Sequence, residues 1–298
     1  MGRLEAHGIQ SQSSMAIEKV RRLLMATITK WWNDNPWRLS AALSYYTLFS
    51  LAPLLTIAVG IAGVMADKEV VQEELLGQFE GLMGTPGAEA MANMLRSAGH
   101  PVNGTIATLV SLVTLLLVSM GMFSELQDAL NLIWRIPGTS SSGLWRALRT
   151  QLISFMLVIC TGFLLLASLI MSVILSALGT FIHWAGPWLQ TIMAVVDLTV
   201  SPIVITLLFA LMFKMLPEEH ITWRDVLVGA MATAALFTLG KWAIGLYVGR
   251  VVMTSMYGAA SSPMAILVWV YYSALIFFLG AEFTYIYAHE YGSRQSHR

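Results

Sequence analysis

Between Met264 and Ala281 the chain runs for 18 residues without one charged side chain. A stretch of that length crosses the hydrocarbon core of a bilayer as a helix. At least five further apolar runs of comparable length precede it. A helix is the simplest way to satisfy backbone polar groups in lipid, so the chain is expected to be an all-α membrane protein, a six-transmembrane-helix bundle. Composition agrees: 57% of residues are apolar and 11% charged, where a soluble domain carries about 25% charged residues.

The remaining composition excludes function classes. Formal net charge is zero, so no global basic field points to nucleic acid. A lone cysteine, Cys160, permits no intrachain disulfide and no thiolate metal cluster. No P-loop, HExxH or GxSxG pattern is present, and the six histidines are scattered. The expectation is no cofactor, no metal and no enzymatic activity.

Residues 1–38 read as a cytoplasmic segment, without the uninterrupted apolar core of a cleavable signal peptide. Within it Ile17, Val20, Leu24, Ile28 and Trp31 recur at helical spacing, interleaved with Glu18, Lys19, Arg21, Arg22 and Lys30. This predicts an amphipathic helix on the membrane surface or, as an alternative, a packed helix in a cytoplasmic cap. Trp31, Trp32 and Trp37 fit an interfacial aromatic belt.

A single membrane domain is expected over 39–288, with spans at about 39–65, 104–124, 151–181, 188–213, 226–248 and 263–288. The helix of the second span should continue through Glu125, Asp128 and Asn131. Residues 66–103 form an acidic loop with two short amphipathic helices predicted on the outer surface of the bundle, the second capped by Thr85. Residues 289–298 form a tail. Thirteen of the 17 Lys and Arg residues fall in the segments 1–38, 125–150, 214–225 and 289–298. That bias puts both termini in the cytoplasm.

Two features within the spans are candidates for function. In span 1, Ser40, Ser44, Thr47 and Ser50 form a polar stripe beside Tyr45 and Tyr46, and Pro53 leaves the Phe49 carbonyl without its helical donor. Such a stripe lines a wet cavity or glues helices together. The second feature is charge at membrane depth: Asp197, Lys241 and Glu282. By helical rise Asp197 and Lys241 lie roughly 14 and 10 Å from the outer end, close enough to meet. Glu282 lies about 9 Å from the inner end, too far from Lys241 to pair in straight helices and near enough to reach interfacial water. Pro202 follows Asp197 and frees the carbonyl of Leu198. Ala230, Ala234, Thr238, Lys241, Gly245 and Gly249 lie on one slowly drifting face, which should turn Lys241 inward. Glu282 shares a face with Tyr271, Leu275 and Phe278, beside Gly280.

Two segments carry a family resemblance. RLSAALSYYTLFSLAPLL, from Arg38 to Leu55, resembles the first-span signature of the YihY/BrkB family of bacterial inner-membrane proteins. WVYYSALIFFLGAEF, from Trp269 to Phe283, preceded by Tyr257-Gly258-Ala259, is similar to that family's C-terminal signature. The resemblance implies a multi-pass inner (plasma) membrane protein with six spans and no established activity. Arg38, Tyr45, Tyr46, Pro53, Tyr272, Gly280 and Glu282 match the motifs, with roles unassigned. The family has carried a ribonuclease BN label, but this sequence lacks the clustered metal ligands of a nuclease.

Three functions follow as expectations. One is a transporter or exporter, not driven by ATP, of a small or amphipathic, lipid-like solute. Another is an envelope scaffold or assembly partner. The third is a membrane-associated ribonuclease, which motif and spacing disfavour. The expected partners are the lipid bilayer, an amphipathic solute or lipid, and a second copy in a homodimer, with no nucleic acid.

Overall fold

In the computed structural model, residues 2–65, 105–136, 202–247 and 261–295 are described, with isolated positions between 76 and 96 and at 152 and 156. Regular structure among the described residues is helical throughout. We label the long helices α1 (Gly2–Asn33), α2 (Pro36–Met65), α3 (Thr105–Ile133), α4 (Pro202–Met215), α5 (Trp223–Tyr247) and α6 (Ser261–Glu290). Span 3, the first half of span 4 and Asp197 lie outside the described residues.

Short local signals set the helix ends. α1 stops at Asp34–Asn35, where Asn35 takes a left-handed φ of 53°, a conformation asparagine tolerates better than most residues. Pro36 then opens α2, since the first helical position needs no N–H donor. α3 continues past the second span, as its sequence predicts, and closes on Arg135 at φ 55°. There the Ile136 N–H bonds the Asn131 carbonyl at 3.0 Å and the Arg135 N–H bonds Leu132 at 3.0 Å. This crossed pair of bonds satisfies carbonyls the helix end would otherwise orphan.

α6 is the hub. Among the described residues, Pro263–Glu290 is the helix long and apolar enough to cross a membrane. It packs against α1, α2, α3 and α5, so it is contacted from several sides. α3 returns antiparallel to α2, with Tyr46 lying over Gly121, and α6 returns antiparallel to α5. The main core joins Leu39, Leu130, Phe213, Val226, Phe278 and Ala281, at the end of the bundle where α2 begins. A second core at the far end joins Met91 to Ile244 and Ile266. Residues 87–93 are helical there, which places the described part of the acidic loop on the far surface of the bundle. The Thr85 hydroxyl donates to Glu80 Oε1 at 3.0 Å, an interaction different from the helix cap its position suggests.

The α5–α6 contact is built from a repeated pattern. Gly229-x3-Thr233 on α5 meets Gly280-x3-Thr284 on α6. A methyl on Gly280 would lie 1.9 Å from Thr233 Oγ1, and one on Gly229 would lie 1.8 Å from Thr284 Oγ1. Each threonine therefore fills the other helix's glycine notch. Each hydroxyl donates to a carbonyl of its own helix, Thr233 to Gly229 and Thr284 to Gly280, both at 2.7 Å. No polar group is orphaned by the close approach, the condition for small-residue packing in lipid.

Candidate functional site

The candidate site forms where α1 crosses the ends of α3 and α6. Lys30 and Asp34 come from the last turn of α1 and the residue beyond it, Ile133 and Arg135 from the end of α3, and Glu282 and Tyr285 from α6. Lys30 Nζ donates to Glu282 Oε2 at 2.6 Å, to the Ile133 carbonyl at 2.8 Å and to Asp34 Oδ2 at 2.9 Å. An ammonium has three N–H donors, and all three are used. The ammonium also sits 4.3 Å from the centroid of the Tyr285 ring, within cation–π range. Arg135 reaches the other oxygen of Asp34 at 3.2 Å.

Burial makes this cluster expensive to break. The side chains of Lys30, Asp34 and Glu282 are 11%, 9% and 1% exposed. Removing one partner of a buried ion pair costs about 3–5 kcal/mol, because the other charge is left uncompensated. The cluster is also incomplete. Glu282 Oε1 is buried and accepts no hydrogen bond among the described residues, a cost of about 1–3 kcal/mol when a partner is missing. The latch is thus strong on one carboxylate oxygen and unsatisfied on the other.

The expectation that Glu282 reaches interfacial water is corrected by this geometry. α1 folds across α6 and replaces water with Lys30. Helix α1 takes the packed alternative for one face, through Thr27, Lys30 and Trp31, while Val20, Leu24 and Ile28 stay exposed. Trp37 packs edge-on against Trp31 and Trp32, with ring centroids 4.9 and 5.0 Å apart.

The polar stripe of span 1 resolves toward helix packing where it is described. Ser40, Ser44 and Ser50 are buried. Ser44 donates to the Ser40 carbonyl, Thr47 to Leu43 and Ser50 to Thr47. Thr47 Oγ1 also lies 3.5 Å from Met122 Sδ on α3. Tyr45 is exposed and leans on Phe49, whereas Tyr46 is half-buried over Gly121. Arg38 is exposed. Helix α2 runs through Pro53 to Met65.

The face expected for span 5 holds at Ala230 and Ala234, which are buried, and leaves the packed side at Thr238. Steps of four residues turn roughly 40° per step away from a fixed side. The packed side is Val226, Gly229, Ala230, Thr233, Ala234, Phe237, Gly240 and Ile244, which leaves Thr238 exposed and Lys241 half-buried. The Thr238 hydroxyl donates to its own helix at Ala234. Pro202 is the first described residue of α4, and its carbonyl accepts from Thr206 at 2.7 Å. Tyr271 and Tyr272 are half-buried, Tyr272 beside Gly240. The pairing of Lys241 with Asp197 falls outside the described residues.

A second clamp holds the C-terminal tail beside the latch. Asp225 Oδ2 accepts from the Ser293 hydroxyl at 2.6 Å, the Ser293 N–H at 3.1 Å and the Thr222 hydroxyl at 2.8 Å. Burial pushes the Asp225 carboxyl up, but these donors and Arg224 outweigh it and hold its pKa below the ordinary value of 3.8. Arg294 pairs with Glu219 and lies over Trp134, 5.6 Å from the ring. Neither clamp was singled out from sequence. The one available signal for the first was Lys30-x3-Asp34, a cation N-terminal to an acid, the weaker order for an isolated helix pair. Among the described residues no group of three or more His, Cys, Asp or Glu side chains could hold a metal ion.

A helical bundle built around a membrane-length apolar helix, with its first helix ion-paired to its last, defines a membrane protein whose terminal segments are part of the fold. The chain belongs to the family described as Virulence factor BrkB, whose sequence pattern matches residues 27–298. That match begins inside α1, just before Lys30. The chain is 28% identical over 257 residues to a UPF0761 membrane protein of Stenotrophomonas maltophilia (strain K279a), covering 84% of this chain and 57% of that one. It is 27% identical over 259 residues to UPF0761 membrane proteins of Xanthomonas campestris pv. campestris (strain B100) and Xanthomonas axonopodis pv. citri (strain 306), with the same coverage. The chain thus matches little more than half the length of these relatives. No solved structure matches it.

Proposed function

We propose that the chain is a six-span inner-membrane transporter, with cytoplasmic termini, that moves a small or amphipathic solute without ATP. The observation that carries this reading is the Lys30–Glu282 latch. An ion pair at the end of a membrane helix, with one carboxylate oxygen unsatisfied, suits a closure that a solute or proton can release. Ionisable groups at membrane depth mark solute paths by default. The absence of a P-loop pattern in the sequence fits a mechanism without nucleotide.

The test starts from the ligand. Native mass spectrometry of the protein in nanodiscs cut from its own membrane identifies any small molecule it retains. Counterflow of that molecule is then measured in proteoliposomes without nucleotide. The expected result is counterflow by the wild type that changes in rate when Lys30→Met and Glu282→Gln are combined. A protein that retains no solute and carries none, yet isolates as a dimer or with another membrane protein, overturns the transporter reading.

That outcome would favour a second reading, an envelope scaffold. It draws on the interlocked α5–α6 pair and on the polar stripe of α2, where the Ser44, Thr47 and Ser50 hydroxyls turn back on their own helix. Close-packed interfaces of this kind serve a fixed frame as well as a moving one.

A further inference from the structure

Helix α1 uses one side to hold the bundle and leaves the other bare. Val20, Leu24, Met25, Ile28 and Trp32 recur one turn apart, and their exposure ranges from 48% at Leu24 to 61% at Trp32. On a helix these positions fall within one stripe. Thr27, Lys30 and Asp34, on the adjoining side, are the residues that face the bundle. The stripe is therefore exposed because the docking side is fixed elsewhere, and rotating the helix to hide it would break the Lys30 latch.

Three observations identify what covers the stripe. First, α1 joins the membrane helix α2 through only Asp34 and Asn35, so its end is tethered at the level where α2 begins. Second, Trp32 and Trp37 close the stripe at that junction, the position tryptophan prefers at a bilayer surface. Third, Lys19, Arg21 and Arg22 stand in the first turn of the stripe against the single acid Glu18, an excess of two positive charges, with Arg21 on the stripe and Arg22 at its edge. Glu18 bridges both arginines, at 2.8 Å to Arg21 and 3.4 Å to Arg22. The arginine side chains nonetheless remain 64% and 73% exposed, with donors left over for a second anion.

We infer that the Val20–Trp32 stripe of α1 is seated in an anionic lipid leaflet, with Arg21 and Arg22 on the lipid headgroups. An apolar face beside basic residues buries its side chains at the headgroup boundary and gains from negative lipid. Because the opposite side of the same turn carries Lys30, lipid contact holds the ammonium at Glu282. The composition of the leaflet is then a factor in how firmly the latch stays shut.

The test uses the full chain in vesicles of phosphatidylcholine with or without phosphatidylglycerol. A bimane label is placed at Met25→Cys or at Arg22→Cys, each with Cys160→Ser. Quenching by brominated acyl chains is compared with quenching by aqueous iodide. The expected result is a lipid-to-iodide quenching ratio higher at position 25 than at position 22, by on the order of threefold. Phosphatidylglycerol should raise the ratio at position 25, and the pair Arg21→Gln, Arg22→Gln should remove that rise. Iodide access at both positions would place the stripe in water and overturn the inference. Shielding from both quenchers, with Met25→Cys forming a disulfide-linked dimer, would overturn it in favour of a second copy. Lipid quenching indifferent to phosphatidylglycerol and to the arginines would overturn the anionic assignment. Retained α-helical circular dichroism in each variant guards against misfolding.

Discussion

Gly280 and Glu282 sit two residues apart on α6, and they hold different partners by opposite means. Gly280 receives Thr233 of α5 in a notch with every hydroxyl satisfied. Glu282 receives Lys30 of α1 through a buried ion pair that leaves one carboxylate oxygen unsatisfied. The first contact gains dispersion energy from close approach and involves no charged group. The second depends on charge and can be weakened by a proton, a competing ion or a shift of α1. One helix therefore carries a close-packed joint and a charged one on nearly opposite sides, since two residues turn about 200° around it. On the transporter reading proposed above, movement would fall at α1 and leave α5–α6 as the frame.

The largest effect should come from Lys30→Met, which strands a buried carboxylate and is expected to cost about 3–5 kcal/mol. Thermal unfolding in detergent measures it. Adding Glu282→Gln should recover much of the loss, since the uncompensated charge is gone. A double variant no more stable than Lys30→Met alone would show that the two side chains do not act as a pair. Next comes Gly280→Ala, which drives a methyl into the Thr233 hydroxyl and should cost about 1–3 kcal/mol. Thr233→Ala in the same chain should restore part of it. If Gly280→Ala is silent, the notch is looser than its 1.9 Å separation requires.

The tail clamp ranks third. Asp225→Ala should cost on the order of 1–2 kcal/mol locally, by removing an acceptor of three hydrogen bonds. The effect is read as faster amide exchange at Ser293. The pH sign follows from the lowered pKa of Asp225. Its contribution is complete above the unfolded aspartate value of 3.8 and is lost as pH falls through the lower folded value. Protection at Ser293, relative to intrinsic exchange, should therefore fall as pH drops from about 3.8 through the lower folded value, and Asp225→Asn should flatten the dependence. The smallest effect is expected from Arg135→Gln. Arg135 is 58% exposed where it meets Asp34, so its loss should stay within about 1 kcal/mol. An effect as large as that of Lys30→Met would move Arg135 into the latch itself.

Much of this architecture was legible from residue type and spacing. The apolar run of α6 and the continuation of α3 through Asn131 follow from length and periodicity, whereas the polar stripe of α2 left a wet cavity and helix packing equally open. Glu282 was legible as a residue of interest because a carboxylate there must find a partner. Its partner was not. Lys30 lies 252 positions away, in a helix whose basic and apolar residues read equally well as a surface anchor. The side of α5 that packs was legible at Ala230 and Ala234 but not at Thr238, because small residues four apart drift around a helix of 3.6 residues per turn. The Gly–Thr interlock was present in sequence as two copies of one five-residue spacing. Only their antiparallel register gives those copies meaning.

Sequence alone determined the class of this protein. A chain that is 57% apolar, with uncharged runs of bilayer length, has few places to go but into a membrane as helices, since unpaired backbone polar groups are too costly in lipid. Tertiary structure alone decided which charges meet. Periodicity fixes the side of a helix on which a residue lies, but contact between α1 and α6 depends on the turn at Asn35, on the crossing of α1 over α3 and on which neighbour reaches Glu282 first. Those are properties of packing between distant segments, and no local pattern encodes them.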